Sequence, residues 1–342
     1  MRRDLHLGLI STVFIILFLA ACFTGCTGQA QTATPTAVPT AAATPAAVKE
    51  KLLLATTTSL YDTGLLNYLE PKFEARYNVD LLITSQGTGK AIELAKNGDA
   101  DILLVHSPTQ EKAFMDGGNG LNRRTFAYNY FLIVGPENDP AGIRNMTPED
   151  AFRTLMQKGK AGDTKVLFVS RGDNSGTHSA EKTIWKNAGY NYSVDVQKSG
   201  NWYVEAGKGM GDTLQMASEK GAYTLTDEGT FLAYSSKLNL VPIVSEGSSL
   251  LNLYSVMTVY NVKQPAGKIQ MANNFVNFLI SSETMEDIGK YDMDKDGNRL
   301  GKTLFKPMTA GVPPGVTADF TTPATDLKPA TAAATAATTA AS

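Results

Sequence analysis

Residues 170–181 read SRGDNSGTHSAE, which gathers an arginine, a histidine, two glycines and several hydroxyls. The segment leads from an apolar run, Val166–Val169, into Thr177–Asn187, where Ala180, Ile184 and Ala188 recur at helical spacing. Arg171 stands just past the apolar run. Its guanidinium is a planar, permanently charged fork that matches pairs of oxygens on an anion. Ser175, Gly176 and Thr177 open the helix, where the first backbone N–H groups have no intrahelical partner and carry a partial positive charge. The combination reads as a cup for an anion. Two other readings compete with it: a surface arginine paired with Asp173, and a catalytic Ser/His site built on His178 with Ser170, Ser175 or Ser179.

Two further strand ends carry the same chemistry. Thr56-Thr57-Thr58-Ser59 follows the apolar run Lys51–Ala55. Ser59 and Asp62 have capping-box spacing, but four consecutive hydroxyl residues exceed what a cap requires. Ser85-Gln86-Gly87-Thr88-Gly89-Lys90 follows the strand Val79–Thr84. A phosphate loop is ruled out there, because the glycine needed before the Gly-Lys pair is Thr84 and the hydroxyl needed after it is Ala91. What remains is a glycine-rich helix start that lets backbone amides approach a ligand. In open α/β sheets ligands gather at the carboxyl ends of strands, and three such junctions in one chain point to anion capture.

Other chemistries find less support. No G-x-S-x-G elbow occurs, and sequence neighbours at a helix start rarely reach nucleophile–base geometry, so His178 reads as a support of the helix start. Both cysteines, Cys22 and Cys26, fall near the N-terminus, and the histidines are His6, His106 and His178, so neither a disulfide framework nor a Cys- or His-based metal site is expected. Asp292–Asn298 matches the front of a calcium loop, but Thr303 stands where the closing glutamate belongs; the stretch reads as a solvated acidic turn, with weak calcium binding as the alternative. No cofactor is called for. The net charge of −2 leaves no basic footprint for nucleic acid.

Around these junctions, apolar strands alternate with amphipathic helices. Helical spacing covers 60–77, 90–97, 148–158, 212–220 and 267–281, and further strands read as 101–105, 131–134 and 253–260. This is an α/β pattern with mainly parallel sheets. Residues 1–21 read as an export leader: Arg2 and Arg3, then an apolar run shorter than a spanning helix, ending Leu19-Ala20-Ala21-Cys22. That ending resembles a lipobox with Cys22 as the lipidated residue and Cys26 as the alternative. Residues 22–49, rich in Thr, Ala and Pro, read as a tether, and 316–342 as a loose low-complexity tail.

TTTSLYDTGLLNYLEPKFE at 56–74, SQGTGKAIELAKNGDADILLVHSP at 85–108, SRGDNSGTHSAEKTIW at 170–185 and WYVEAGKGMGDTLQMASEKGAYTLTDEGTFL at 202–232 occur in order. Together they resemble the tungstate-binding proteins of TupA-type ABC transporters across about 52–282. The resemblance implies a type II periplasmic-binding-protein fold, with two α/β lobes joined by two crossover strands and a ligand cleft between them. Lobe 1 would be 50–130 plus 253–315 and lobe 2 131–252, with crossovers near Asn129–Val134 and Leu253–Val259. It also implies a monomeric, exported, lipid-anchored binding protein on the outer face of the cytoplasmic membrane that passes tungstate, or molybdate, to a permease and its ATPase. Thr57, Thr58, Ser59, Ser85, Gly87 and Thr88 would donate from lobe 1. Arg171, Ser175, Gly176 and Thr177 would donate from lobe 2. The block at 56–59 continues with Leu60-Tyr61 where the family often has another polar residue. Asp62 and Asp173 lie close enough in sequence to accept a phosphate proton, so phosphate stays open. An exported hydrolase using His178 is the alternative from a different class.

Overall fold

Leu52 and Leu54 point to one face of the first strand and Ala55 to the other, each into a buried cluster, and the chain builds outward from there. The computed structural model describes residues 49–261, 265–294 and 296–326. The leader, both cysteines and the tether up to Val48 lie outside the described residues. Among the described residues no helix is long and apolar enough to cross a membrane.

Strands β1 (Glu50–Thr57), β2 (Val79–Gln86) and β3 (Ile102–Val105) are parallel, with β1 in the middle. Two long strands complete this sheet: β4 (Gly120–Gly135) and, late in the chain, β9 (Leu251–Val259). β9 pairs antiparallel with β3 and with residues 120–130 of β4, and the short β10 (Lys306–Pro307) closes the order β10-β4-β9-β3-β1-β2. Beyond Tyr130, β4 changes partners. Residues 131–135 pair antiparallel with β7 (Thr224–Asp227) and β8 (Val241–Val244). β5 (Phe168–Ser170) and β6 (Tyr203–Glu205) form a small parallel pair. The sheet is therefore mixed rather than mainly parallel, because β4 and β9 run against their neighbours.

The cores follow this division. Two buried clusters draw on residues between 52–128 and 254–324, and two others on residues between 131 and 250. We call the bodies around them lobe 1 and lobe 2. In lobe 1, α1 (Thr58–Asp62) and α2 (Leu65–Tyr77) replace the single helix expected over 60–77. Gly64 takes φ 78°, a left-handed conformation that suits glycine and breaks the helix. Leu65, Leu66, Leu69 and Phe73 of α2 are buried as their spacing required. α3 (Thr88–Asn97) and α4 (Pro108–Asp116) follow β2 and β3. α9 (Ala266–Leu279) and α10 (Ser282–Lys290) complete lobe 1. Lobe 2 carries α5 (Pro148–Lys160), α6 (Gly176–Asn187), α7 (Met210–Lys220) and α8 (Glu228–Tyr234). Trp185 of α6 is fully buried against Phe152 and Phe168.

The start of the C-terminal tail is not loose. Arg124, 7 % exposed, donates to the carbonyls of Thr322 and Pro323 and pairs with Asp319. Asn273 and Asn277 hold Asp326 and Ala324. Four polar side chains of lobe 1, Asn122 among them, thus strap residues 319–326 down where composition alone suggested solvent. Residues 327–342 lie outside the described residues.

The acidic turn at 292–298 is closed on itself. Asp294 accepts from the backbone N–H groups of Asp296 and Asn298 and from the Asn298 side chain, while Arg299 pairs with Asp292. Among the described residues no cluster of His, Cys, Asp or Glu is arranged to hold a metal.

Candidate functional site

The three hydroxyl–glycine junctions converge at the carboxyl ends of β1, β2 and β5. Thr57 caps α1 by accepting Leu60 N–H at 3.3 Å. The cap is therefore Thr57, and Ser59, which the Ser59–Asp62 spacing had marked, is the second residue of the helix. Ser85 is the register partner of Thr56 on the adjacent parallel strand and is half-buried. Gly87 precedes α3, and its approach to lobe 2 is close: a Cβ there would stand 3.2 Å from the Asp173 carbonyl and carboxylate. Gly89 N–H reaches Asn174 carbonyl across the cleft at 3.4 Å.

On the lobe 2 side, the 170–178 loop leaves β5 through Gly172, whose φ of 63° and crowding by Glu205 admit no side chain. Ser175 caps α6 by accepting His178 N–H at 3.2 Å. Arg171 is paired with Asp173, as the plainer reading held, but it is not on the surface. It is 1 % exposed and among the largest fully buried side chains. Its Nη2 donates to Thr58 Oγ1 across the cleft at 3.1 Å and to Asp173. Its Nε and Nη1 have no protein partner.

Those two nitrogens belong to a pattern. Six buried side-chain polar atoms among the described residues lack a partner. Four of them lie here: Arg171 Nε, Arg171 Nη1, Thr88 Oγ1 and Thr177 Oγ1. Each such group costs about 1–3 kcal/mol when left unpaired. A fold does not gather four at facing loops from two lobes without a partner that supplies acceptors. The guanidinium nitrogens can only donate.

The histidines sit differently from a catalytic pair. His178 Nδ1 accepts Asn174 N–H at 2.9 Å and Nε2 meets Tyr192 hydroxyl at 2.7 Å, so both ring nitrogens are used in holding the loop and neither faces a serine. Burial, reinforced by Lys182, lowers its pKa to about 4. Behind the loop, Glu181 is fully buried and accepts from Ser170, Trp185 and Tyr203. Burial raises its pKa to about 7.

Three buried polar positions beside these loops escaped the motif reading. His106, directly after β3, hydrogen-bonds Ser59 Oγ. Thr230 of α8 shares its one hydroxyl hydrogen between the Ser59 carbonyl, at 3.0 Å, and Asp227, tying α1 to lobe 2. Asp227, wholly buried, caps α8; burial pushes its carboxyl up, and the nearby Arg171 charge opposes that rise. His106 follows the buried strand β3 and Asp227 ends the buried strand β7, and that position was the only signal available for them; Thr230, the third residue of α8, gave none.

Comparison with known proteins agrees with this geometry. Residues 30–283 match the model of the PBP superfamily domain. The tungstate-binding protein TupA of Peptoclostridium acidaminophilum is 36% identical over 88% of this chain and 99% of its own. The TupA structure from Desulfovibrio alaskensis G20 is 41% identical, covers 75% of this chain and 98% of its own, and superposes with a TM-score of 0.60. A tungstate ABC transporter structure from Geobacter sulfurreducens is 43% identical, covers 71% of this chain and 99% of its own, with a TM-score of 0.62. Fold, cleft loops and relatives agree, and the chain belongs to the PBP superfamily and, within it, to the TupA family.

Proposed function

We propose that this chain is a solute-binding protein that captures a fully deprotonated tetrahedral oxyanion, tungstate, with molybdate as the near competitor. The observation that carries this reading is the set of four buried, partnerless atoms on Thr88, Arg171 and Thr177. Tungstate has four oxygens and no hydrogens at neutral pH, so it needs donors only. Thr58, whose oxygen takes an Arg171 hydrogen, keeps its own hydroxyl hydrogen for the anion. Thr57 and Ser175 serve as caps, and Gly87 and Gly176 give the room for the facing loops to meet. Phosphate keeps a proton near neutral pH and wants an acceptor. Each Asp173 oxygen accepts one hydrogen bond, from Ser175 N–H and from Arg171, and keeps a second lone pair, so this carboxylate alone does not decide against phosphate. Within the family, the names of the relatives select tungstate.

The lobes divide at 50–130 plus 253–315 and 131–252 in this proposal, with β4 and β9 as crossovers. The protein is exported as a monomer, anchored through lipid on Cys22 or Cys26, and delivers its anion to a permease and ATPase. Thermal melting with each oxyanion in turn is the test. Nanomolar binding at micromolar ligand raises stability by about 4 kcal/mol. Tungstate and molybdate are expected to raise the melting temperature strongly, and sulfate and phosphate little. An equal shift with phosphate, or none with any oxyanion, refutes the reading.

A further inference from the structure

His106 is the most fully engaged buried group that the oxyanion reading leaves unused. It follows β3, and its neighbour Ser107 donates its N–H to Glu111 at 2.8 Å, with Arg123 on the other carboxylate oxygen. The ring stacks on Tyr254, 5.0 Å between centroids. It also abuts lobe 2: a Cβ on Gly176 would come within 2.8 Å of it. Nε2 lies 2.9 Å from Ser59 Oγ and Nδ1 lies 2.9 Å from Asn252 Oδ1.

The direction of these bonds is fixed from the far end. Asn129 Nδ2 donates to the Leu304 carbonyl at 3.3 Å, so Asn129 turns its oxygen to Asn252 Nδ2 at 2.9 Å. Asn252 then presents its own oxygen to the imidazole. A carboxamide oxygen only accepts, so the ring hydrogen is on Nδ1. A neutral ring with hydrogen on Nδ1 has a bare lone pair on Nε2, and Ser59 must donate to it. Thr57 Oγ1, which already accepts Leu60 N–H, lies 3.3 Å from Ser59 Oγ and donates onward. One polarised chain thus runs from Thr57 through Ser59, His106, Asn252 and Asn129 to a backbone carbonyl, and it crosses β9 and β4. The connectivity is that of a Ser–His–Asn triad, but burial holds the ring at a pKa of about 4, too low for a general base near neutral pH.

We propose that His106 is a positioning residue of the oxyanion site: as the Nδ1–H tautomer it commits the Ser59 and Thr57 hydroxyl hydrogens to the protein, which leaves those of Thr58, Thr88, Ser175 and Thr177 for the anion. The purpose of this arrangement rests on the proposed function; the bond directions themselves need no ligand.

Nitrogen-15 NMR of the imidazoles in the ligand-free full chain reads the tautomer directly. The expected result is neutral, Nδ1-protonated His106, unchanged when tungstate is added. In calorimetric titration with tungstate, Ser59→Ala is expected to weaken binding by about threefold or less, and Thr88→Ala by about tenfold or more. His106→Phe keeps the stack on Tyr254 but frees Ser59, and should weaken binding about tenfold; His106→Gln, whose oxygen can reach toward Ser59, should recover part of that. The tautomer spectrum needs no variant and decides the matter even if His106→Phe does not fold. An Nε2-protonated ring, or a Ser59→Ala loss equal to that of Thr88→Ala, overturns the proposal. A chain that binds no tungstate yet shows the Nδ1–H tautomer overturns the functional reading and leaves the role of His106 in directing these bonds standing.

Discussion

Arg171→Ala removes a side chain that is 1 % exposed and brings two unpartnered nitrogens to the cleft. In a complex, Nε and Nη1 would each form a charge-assisted hydrogen bond, about 1.5–3 kcal/mol apiece. Losing both costs about 3–6 kcal/mol. At about 1.4 kcal/mol per tenfold, Kd rises roughly 10²- to 10⁴-fold. The unpaired Asp173 carboxylate adds repulsion to that loss. Thr88→Ala removes a single donor and should cost about ten- to a hundredfold. Calorimetric titration with tungstate compares the two. A second measurement separates binding from folding. In the ligand-free protein the two orphaned nitrogens are a burden of about 1–3 kcal/mol each. Arg171→Met combined with Asp173→Asn should therefore melt no lower than the parent, although it binds far more weakly. Equal losses for Arg171→Ala and Thr88→Ala, or a double variant that melts several degrees lower yet binds undiminished, would refute the reasoning.

Other substitutions probe the surroundings. Gly176→Ala places a methyl 2.8 Å from the His106 ring, which stacking on Tyr254 prevents from yielding, so tungstate affinity should fall by about tenfold or more, and an unchanged Kd would remove the argument for close approach. Glu181 has a folded pKa of about 7 against an ordinary 4.5, so the folded state holds its proton more tightly and this contribution to stability is lost as pH rises from 4.5 to 7. Glu181→Gln mimics the protonated form, with its oxygen toward Trp185 and Tyr203 and its amide toward Ser170. Its denaturant-unfolding curve should be flatter than the parent's by up to about 1.4 kcal/mol per pH unit across that window, and parallel curves would contradict the assignment. Truncation after Ala318 strips Arg124 of Asp319, Thr322 and Pro323, and should lower the melting temperature by several degrees with tungstate affinity intact.

The strand–turn–helix junctions were legible because two local signals coincide in them, an apolar run and a cluster of hydroxyls with glycine. Arg171 stood out for its charge and position. What local pattern could not supply was partnership. β4 was read only at its apolar end, 131–134, because Arg123, Arg124 and Asn129 interrupt the rest; their side chains are satisfied by Glu111, by the C-terminal strap and by Leu304, all remote in sequence. The antiparallel course of β9 depends on a strand 120 residues or more earlier, which no window reveals. Ser59 looked like a free donor until the fold placed the His106 ring, 47 positions away, 2.9 Å from its hydroxyl oxygen.

The double membership of β4 bears on how the chain assembles. Lobe 2 draws its core from one continuous stretch, 131–250, and can collapse as soon as that stretch is available. Lobe 1 cannot. β3 waits for β9, with Ile102 opposite Thr258, so closing its sheet means closing a loop of about 150 residues. Contacts that distant form slowly. Until β9 arrives, β3 and the first half of β4 expose open edges to whatever else is nearby. The late half of the chain therefore acts as a seal on the early half, one strand closing the edges of both β3 and the first part of β4.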